Sequence, residues 1–293
     1  MIRASKPLIS VGLPVYNGEK VLVKAIESIL QQSYKNFELI ISDNCSTDNT
    51  KNICQYYRLK DERIKYFRQK HNTGPFENFK FVLLKSRGTF FTWMSDDDLR
   101  SLDFLQANLD FLLENPGFVG ATSPNVLDNS NKIYAFDLNG NRVDRYKTFF
   151  KNGYISHGLF YSLWRTGLIK RCTWVGERFY GWDWSVVLFM ANLGNIGRVD
   201  SGLMTFGMNG ISSKKNFNVY KFHGLNAIGR FFPLIVFSGK VISLVKKWRL
   251  TEFFTILCVL LNLNLRVFLK QIERTCYPTY RKFKDVFTKH LHI

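Results

Sequence analysis

The chain has 293 residues, 46% apolar and 22% charged, enough for one packed α/β domain with an appendage or for two small domains, and its composition argues against disorder. Its 41 Lys and Arg outnumber 23 Asp and Glu to give +18, a field that favours a polyanion or an anionic membrane without choosing between them. Five widely spaced cysteines (Cys45, Cys54, Cys172, Cys258, Cys276), with no Cys-x-x-Cys pair and no His at ligand spacing, argue against a disulfide framework or a zinc site and fit a reducing compartment.

Met1 to Leu8 holds no apolar run long enough for a secretory signal. Leu8 to Val15 is a short apolar run ended by the turn-former Asn17-Gly18 and reads as a buried strand. Leu22, Ala25, Ile26, Ile29 and Leu30 then recur at helical spacing. Phe37 to Ser42 predicts a second strand, and the polar run Asp43 to Asp48 ends where it can cap a helix over 49–60. Ile64 to Phe67 is a third strand, 75–87 a helix, and Phe90 to Met94 a fourth strand that runs into Asp96-Asp97-Asp98.

Strands alternating with helices predict a mainly parallel sheet covered on both faces, an α/β fold whose ligands sit beyond the carboxyl ends of the strands. Tyr16-Asn17, Asp43-Asn44 and the acidic triplet all lie at such ends. Three adjacent carboxylates repel each other unless something positive neutralises them, and a hard divalent cation that bridges phosphate oxygens is one answer. A solvated turn capping the next helix is the other. Asp43 has two readings as well: acceptor for the N3–H of uracil or thymine, or part of a helix-capping loop with Asp48 as the cap.

The runs Ile9 to Glu19, Ser28 to Tyr34 and Phe37 to Asp48, followed by Asn72-Thr73-Gly74, Asn78, Gly88 and the triplet, resemble the family-2 glycosyltransferases of the GT-A fold. The resemblance is specific over about 1–125 and looser to about 213. It implies a single Rossmann-like sheet, a nucleotide-sugar donor and a Mn2+ or Mg2+ cofactor. It implies that Pro14, Tyr16 and Asn17 line the base and ribose, that Asp43 reads the base, and that Asn72, Asp96 and Asp97 belong to the donor site. Asp97 is the first candidate for the metal, with Asp98 and Asp96 unranked behind it. Ser95 stands where many members carry the first Asp of the Asp-x-Asp motif.

The family's catalytic base lies in an acidic pair before a helix. Here Trp182 replaces the first member, which leaves Asp183 as the base or, alternatively, as a cap for a helix from Trp184 to Leu193. Trp182 and Trp184 suit either sugar stacking or the core. His157 and Arg165 fall where relatives approach the acceptor or diphosphate. Asn209 to Ser213 resembles a closing loop, with Lys214 or Lys215 within reach of phosphates.

From about 221 the chain turns apolar and basic, with helix candidates over 225–248 and 250–275. Between Gly239 and Ile293 there are 11 Lys and Arg against 3 Asp and Glu. The longest uncharged hydrophobic stretch there, Phe253 to Leu265, has 13 residues, short of the roughly 20 that span a bilayer. A helix lying among lipid headgroups fits, as does a helix pair packed on the catalytic domain or on another subunit.

The expected division is 1–220 for the catalytic domain, with a nucleotide-sugar half (1–125) and an acceptor half (126–220), then a basic helical region over 221–293. The expected function is inverting transfer from a UDP- or dTDP-sugar to a glycan or polyprenyl-linked acceptor, in surface polysaccharide assembly at the cytoplasmic face of the inner membrane. Carboxylates at the strand ends disfavour a nucleic-acid binder. The absence of a basic residue in Val15 to Glu19 disfavours a nucleotidyltransferase. Trp182 and Ser95 keep a catalytically inactive nucleotide-sugar scaffold as an alternative.

Overall fold

A computed structural model describes residues 7–128, 130–152, 157–207 and 218–290, with the backbone alone at 157, 219, 220, 227 and 273–290. The chain divides into two compact units, Met1–Arg178 with Trp182–Phe217, and Phe179–Gly181 with Asn218–Ile293.

In the first unit, strands and helices alternate as expected: β1 (Ile9–Val15), α1 (Leu22–Leu30), β2 (Phe37–Asp43), α2 (Thr50–Lys60), β3 (Ile64–Arg68), α3 (Pro75–Lys85) and β4 (Phe90–Trp93). After β5 (Leu99–Arg100) come α4 (Phe104–Glu114), β6 (Phe118–Thr122), β7 (Asn125–Leu127), α5 (Arg142–Lys151), α6 (His157–Phe160), β8 (Leu163–Arg165), α7 (Thr166–Ile169), α8 (Trp182–Leu193), β9 (Asn195–Arg198) and β10 (Met204–Phe206). Seven strands form one sheet in the order β3-β2-β1-β4-β8-β6-β9. All its pairings are parallel except those of β8, which runs against both β4 and β6.

β1 and β2 are buried along their whole lengths, as strands covered on both faces must be, so their apolar runs are continuous rather than alternating. Gly12 in β1 lets α3 close on the sheet: a Cβ there would lie 2.7 Å from Val82 Cγ2 and 2.8 Å from the Phe91 ring. Pairing of Val15 with Asp43, and of Asp43 with Arg68, brings the chain exits of β1, β2 and β3 to one edge. A small second sheet, β5-β10-β7, stands beyond β4, and its two- and three-residue strands carry no readable period.

The second unit is helical: α9 (Val219–Phe222), α10 (Ala227–Phe231), α11 (Ile235–Val245) and α12 (Leu250–His290). The single helix expected over 225–248 is broken near Pro233, which cannot continue the backbone ladder. Leu234, Phe237, Val241, Val245, Ile256 and Leu260 are buried, and Phe232 stacks on Phe268 at 4.9 Å. Within α12, Leu250–Ile272 is 23 residues long, and its most apolar 18-residue window has a mean hydropathy of 1.7 with 11% of that window buried. It is long and apolar enough to cross a membrane by length and composition, so the uncharged 13-residue run understated it: scattered charges such as Arg266 and Lys270 interrupt the run without interrupting the helix.

Candidate active site

The exit of β1 turns sharply. Asn17 adopts a left-handed conformation (φ 55°), one that Asn tolerates better than most residues. Its backbone N–H donates to Ser46 Oγ at 2.9 Å and its Oδ1 accepts from Thr47 N at 2.8 Å, so the loops after β1 and β2 are laced together. Tyr16 beside it is exposed. Pro14, read from the sequence as part of the loop, is instead buried inside β1 opposite Ser42.

Asp43 closes β2 and is 0% exposed. Its Oδ1 accepts from Ser46 N at 2.8 Å, its Oδ2 accepts from the Tyr66 hydroxyl at 2.9 Å, and Arg68 Nε lies 3.3 Å from Oδ2. Its carboxylate is thus held by its own loop and by the neighbouring strand β3. Asp48 Oδ1 accepts from Thr50 N at 3.0 Å at the head of α2, although the N-cap position itself falls to Asn49 rather than to Asp48 as read from the sequence. Asn44 reaches the next loop: its Nδ2 donates to Asn72 Oδ1 at 3.0 Å, and its Oδ1 accepts from Thr73 N at 2.9 Å. Asn72 thus braces the loop, and Asn78, buried on α3, pins the strand end by donating to Ser42 O at 2.9 Å.

The acidic triplet follows β4. Asp96 approaches the β1 exit so closely that a Cβ on Gly18 would lie 2.7 Å from its Oδ2. Asp97 packs against Gly207, where a Cβ would collide with the Asp97 carbonyl and Cβ. Both are half-buried. Asp98 is different, and its placement among the metal ligands is corrected by its orientation. It is buried, accepts from Ser95 N and Gly207 N at 3.3 Å each, and lies 3.6 Å from Arg100 Nη2. Burial pushes its carboxyl up to about 6, with Arg100 opposing and Asp97 adding to the rise.

Among the described residues no group of three or more His, Cys, Asp or Glu side chains could hold a metal. Asp96 and Asp97 therefore fit a hard divalent cation only if diphosphate oxygens and water complete its shell, which is how magnesium-type sites are commonly built.

Asp183 lies half-buried in the first turn of α8, where a carboxylate meets the positive end of the helix dipole. The Tyr161 hydroxyl is held well above its ordinary value by burial first, and then by the charges of Asp98, Asp97 and Asp183. One hydroxyl thus senses both the triplet and Asp183. Trp182 is core: its ring meets Phe76, Phe79 and Phe160 edge-on at 5.1 to 5.6 Å. Trp184 packs toward Phe149 of α5.

Arg165 is not in this site. It pairs with Phe90 at the entry end of β4, opposite the triplet, and its guanidinium donates to Phe118 O at 2.7 Å and Leu112 O at 2.8 Å. The side chain of His157 and the segment from Asn209 to Lys215 lie outside the described residues. Tyr66, Arg68, Arg100 and Tyr161 went unread in the sequence; only the Asp98-x-Arg100 spacing hinted at an internal charge partner.

A parallel sheet whose β1, β2 and β4 exits converge on half-buried carboxylates, beside an antiparallel β8 and a small second sheet, defines a GT-A transferase. The glycosyl transferase family 2 model matches residues 10–170, and the chain belongs to that family. An uncharacterized glycosyltransferase of Haemophilus influenzae is 38% identical over 151 residues, 51% of this chain and 56% of the relative. The GalNAc(5)-diNAcBac-PP-undecaprenol beta-1,3-glucosyltransferase of Campylobacter jejuni is 30% identical over 181 residues, 60% of this chain and 57% of the relative. The chain thus spans somewhat over half the length of these curated relatives. Among solved structures, S. aureus TarS 1–349 with UDP-GlcNAc superposes with a TM-score of 0.63 at 16% identity, covering 92% of this chain and 73% of that one. The Pyrobaculum calidifontis mannosyltransferase PcManGT with GDP-Man and Mn2+ gives 0.59 at 13% identity, covering 98% and 81%.

Proposed function

We propose that this glycosyltransferase moves a sugar, with inversion, from a UDP- or dTDP-linked donor to a hydroxyl of a glycan or polyprenyl-linked acceptor in surface polysaccharide assembly. The observation that carries the reading is the gathering of Asn17, Asp43, Asp96 and Asp97 at adjoining strand exits, cross-linked by the Asn17–Ser46 and Asn17–Thr47 hydrogen bonds. Asp43, at the end of β2, reads the base N–H, and Tyr16 and Asn17 flank the base and ribose. Mn2+ or Mg2+, when bound beside Asp96 and Asp97, offsets the charge that gathers on the leaving diphosphate. Asp183 takes the proton of the acceptor hydroxyl as that oxygen bonds to the anomeric carbon and the bond to the diphosphate breaks on the opposite face.

A lipid-linked acceptor is supported by the undecaprenol-linked substrate in the name of the Campylobacter relative. The basic, apolar helices of the second unit suit contact with an anionic membrane at the cytoplasmic face, and association of copies through them is the competing use. Screening nucleotide sugars for manganese-dependent hydrolysis tests the core of the reading. Asp97→Asn and Asp183→Asn should each lower turnover at least about a thousandfold, with donor binding kept in Asp183→Asn. An Asp183→Asn enzyme with most of its activity would remove Asp183 as the base. Donor binding without any turnover in the wild type would favour an inactive scaffold.

A further inference from the structure

We propose that Arg100 is a positioning residue for the acidic turn: it holds the Asp98 carboxylate inward as an internal ion pair and so sets the geometry in which Asp96 and Asp97 meet a cation. The inference rests on the reading of Asp96 and Asp97 as the cation-facing pair.

Arg100 is an unusual burial. Its side chain is 1% exposed, enclosed by the rings of Phe104, Tyr161 and Phe206 at 5.3, 5.6 and 5.9 Å. Its Nη1 donates to Leu99 O at 3.0 Å, but Nε and Nη2 have no hydrogen-bond partner. A guanidinium so poorly satisfied is costly to bury, and the charge 3.6 Å away on Asp98 is what offsets that cost.

Asp98 depends on the pair in turn. It accepts from Ser95 N on Oδ2 and from Gly207 N on Oδ1 while its own N–H donates to Ser95 O at 3.3 Å, closing the turn that carries Asp96 and Asp97. Backbone pairing fixes Arg100 independently, since Arg100 lies opposite Met204 in the β5–β10 ladder. The arginine is therefore anchored to the second sheet, and through Asp98 it sets the geometry of a turn that belongs to the first. Without Arg100, the buried Asp98 carboxylate loses the guanidinium 3.6 Å away and swings outward as a third charge beside Asp96 and Asp97.

The test is calorimetric titration of manganese with UDP, dTDP and GDP into the full chain, alongside thermal unfolding. Arg100→Met should weaken manganese–nucleotide binding by about tenfold or more, the loss usual when an outer-shell partner is removed. Arg100→Met/Asp98→Asn, which deletes both charges, should recover to within about threefold of the wild type, whereas Asp97→Asn/Asp98→Asn should stay as weak as Asp97→Asn. Arg100→Lys keeps the cation and should bind within about threefold, which preserves the test if Arg100→Met does not fold. Binding by Arg100→Met equal to wild type, or a double variant no better than Arg100→Met, overturns the inference while leaving the donor site intact. A wild type that binds no manganese with any of the three nucleotides overturns both.

Discussion

The Tyr66 hydroxyl, on β3, donates to Asp43 Oδ2 at 2.9 Å across the strand boundary, so the buried carboxylate at the end of β2 is held from the neighbouring strand as well as from its own loop. Burial raises the Tyr66 hydroxyl well above its ordinary value, and the Asp43 hydrogen bond and charge raise it further. Tyr66→Phe removes that donor and leaves part of a buried charge unsatisfied. The expected loss is about 1–3 kcal/mol of stability, read as a lower urea midpoint with unchanged slope. An unshifted midpoint would mean that Ser46 N–H and Arg68 suffice to hold Asp43.

Gly18 is small because Asp96 occupies the space a side chain would take. In Gly18→Ala the new methyl must displace the Asp96 carboxylate, 2.7 Å from it, or Val15 Cγ2 at the same distance. Asp96 is the movable one, since Val15 is core. Donor binding should weaken by about tenfold while circular dichroism and the unfolding midpoint stay near wild type, because a displaced cation-facing group changes affinity at little cost to the core. Equal loss of stability and affinity would place the strain in the sheet instead.

Arg165 calls for the opposite outcome. Its guanidinium satisfies the carbonyls of Leu112 and Phe118 around the end of α4, and burial lowers its own pKa. Arg165→Met should cost about 1–3 kcal/mol in urea unfolding and leave the KM for donor and the kcat of the folded fraction unchanged. A raised KM would return Arg165 to the diphosphate.

Alkaline pH should unfold the first unit early. The Cys54 thiol, buried under α2, is pushed from an ordinary 9.0 to about 12, mainly by burial and then by the charges of Asp43 and Asp48. The folded value lies above the unfolded one, so this contribution is complete below pH 9 and is lost as pH rises toward 12. Stability should therefore stay level through neutral pH and fall above 9, with Cys54→Ala showing a shallower fall. Iodoacetamide at pH 8 should label exposed Cys258 before Cys54.

The sheet was legible because its strands are continuous apolar runs ended by polar turns, and because helical spacing between them leaves little choice of topology. The positions of Asn17, Asp43 and Asp96 followed from those strand ends. What stayed hidden depends on side-chain direction and distant pairing. Asp98 looks like its two neighbours in sequence, yet it faces inward toward an arginine two residues on. Arg165 was expected near the acceptor or diphosphate, but β8 runs antiparallel and carries it to the far end of the sheet. Trp182 and Trp184 share a first helical turn, so one side chain meets α3 and the other α5, and neither destination is written in the residue type. The second sheet escaped notice since two- and three-residue strands have no period to read.

On α12, Leu250, Phe254, Leu261, Leu265 and Leu269 are exposed and recur along one helical face, with the exposed Cys258 between them. The opposite face is already committed: Ile256 and Leu260 are buried, and Asn264 Nδ2 donates to Ser238 Oγ at 2.8 Å on α11. Exposed Lys246, Lys247 and Arg249 precede this stripe, and Arg266 and Lys270 border it. A largely apolar outward stripe with cations before and beside it matches a helix lying in the headgroup plane of an anionic bilayer, where apolar burial and charge attraction add. The protein should co-sediment with phosphatidylglycerol vesicles and much less with phosphatidylcholine vesicles. Leu261→Glu/Leu265→Glu and Lys246→Ala/Lys247→Ala should each weaken that binding by about fivefold or more, and alkaline carbonate should release the protein. Retention after carbonate would make α12 a spanning helix. Loss of a concentration-dependent dimer in the same leucine variants, without any vesicle binding in the wild type, would make the stripe an interface between copies of the chain.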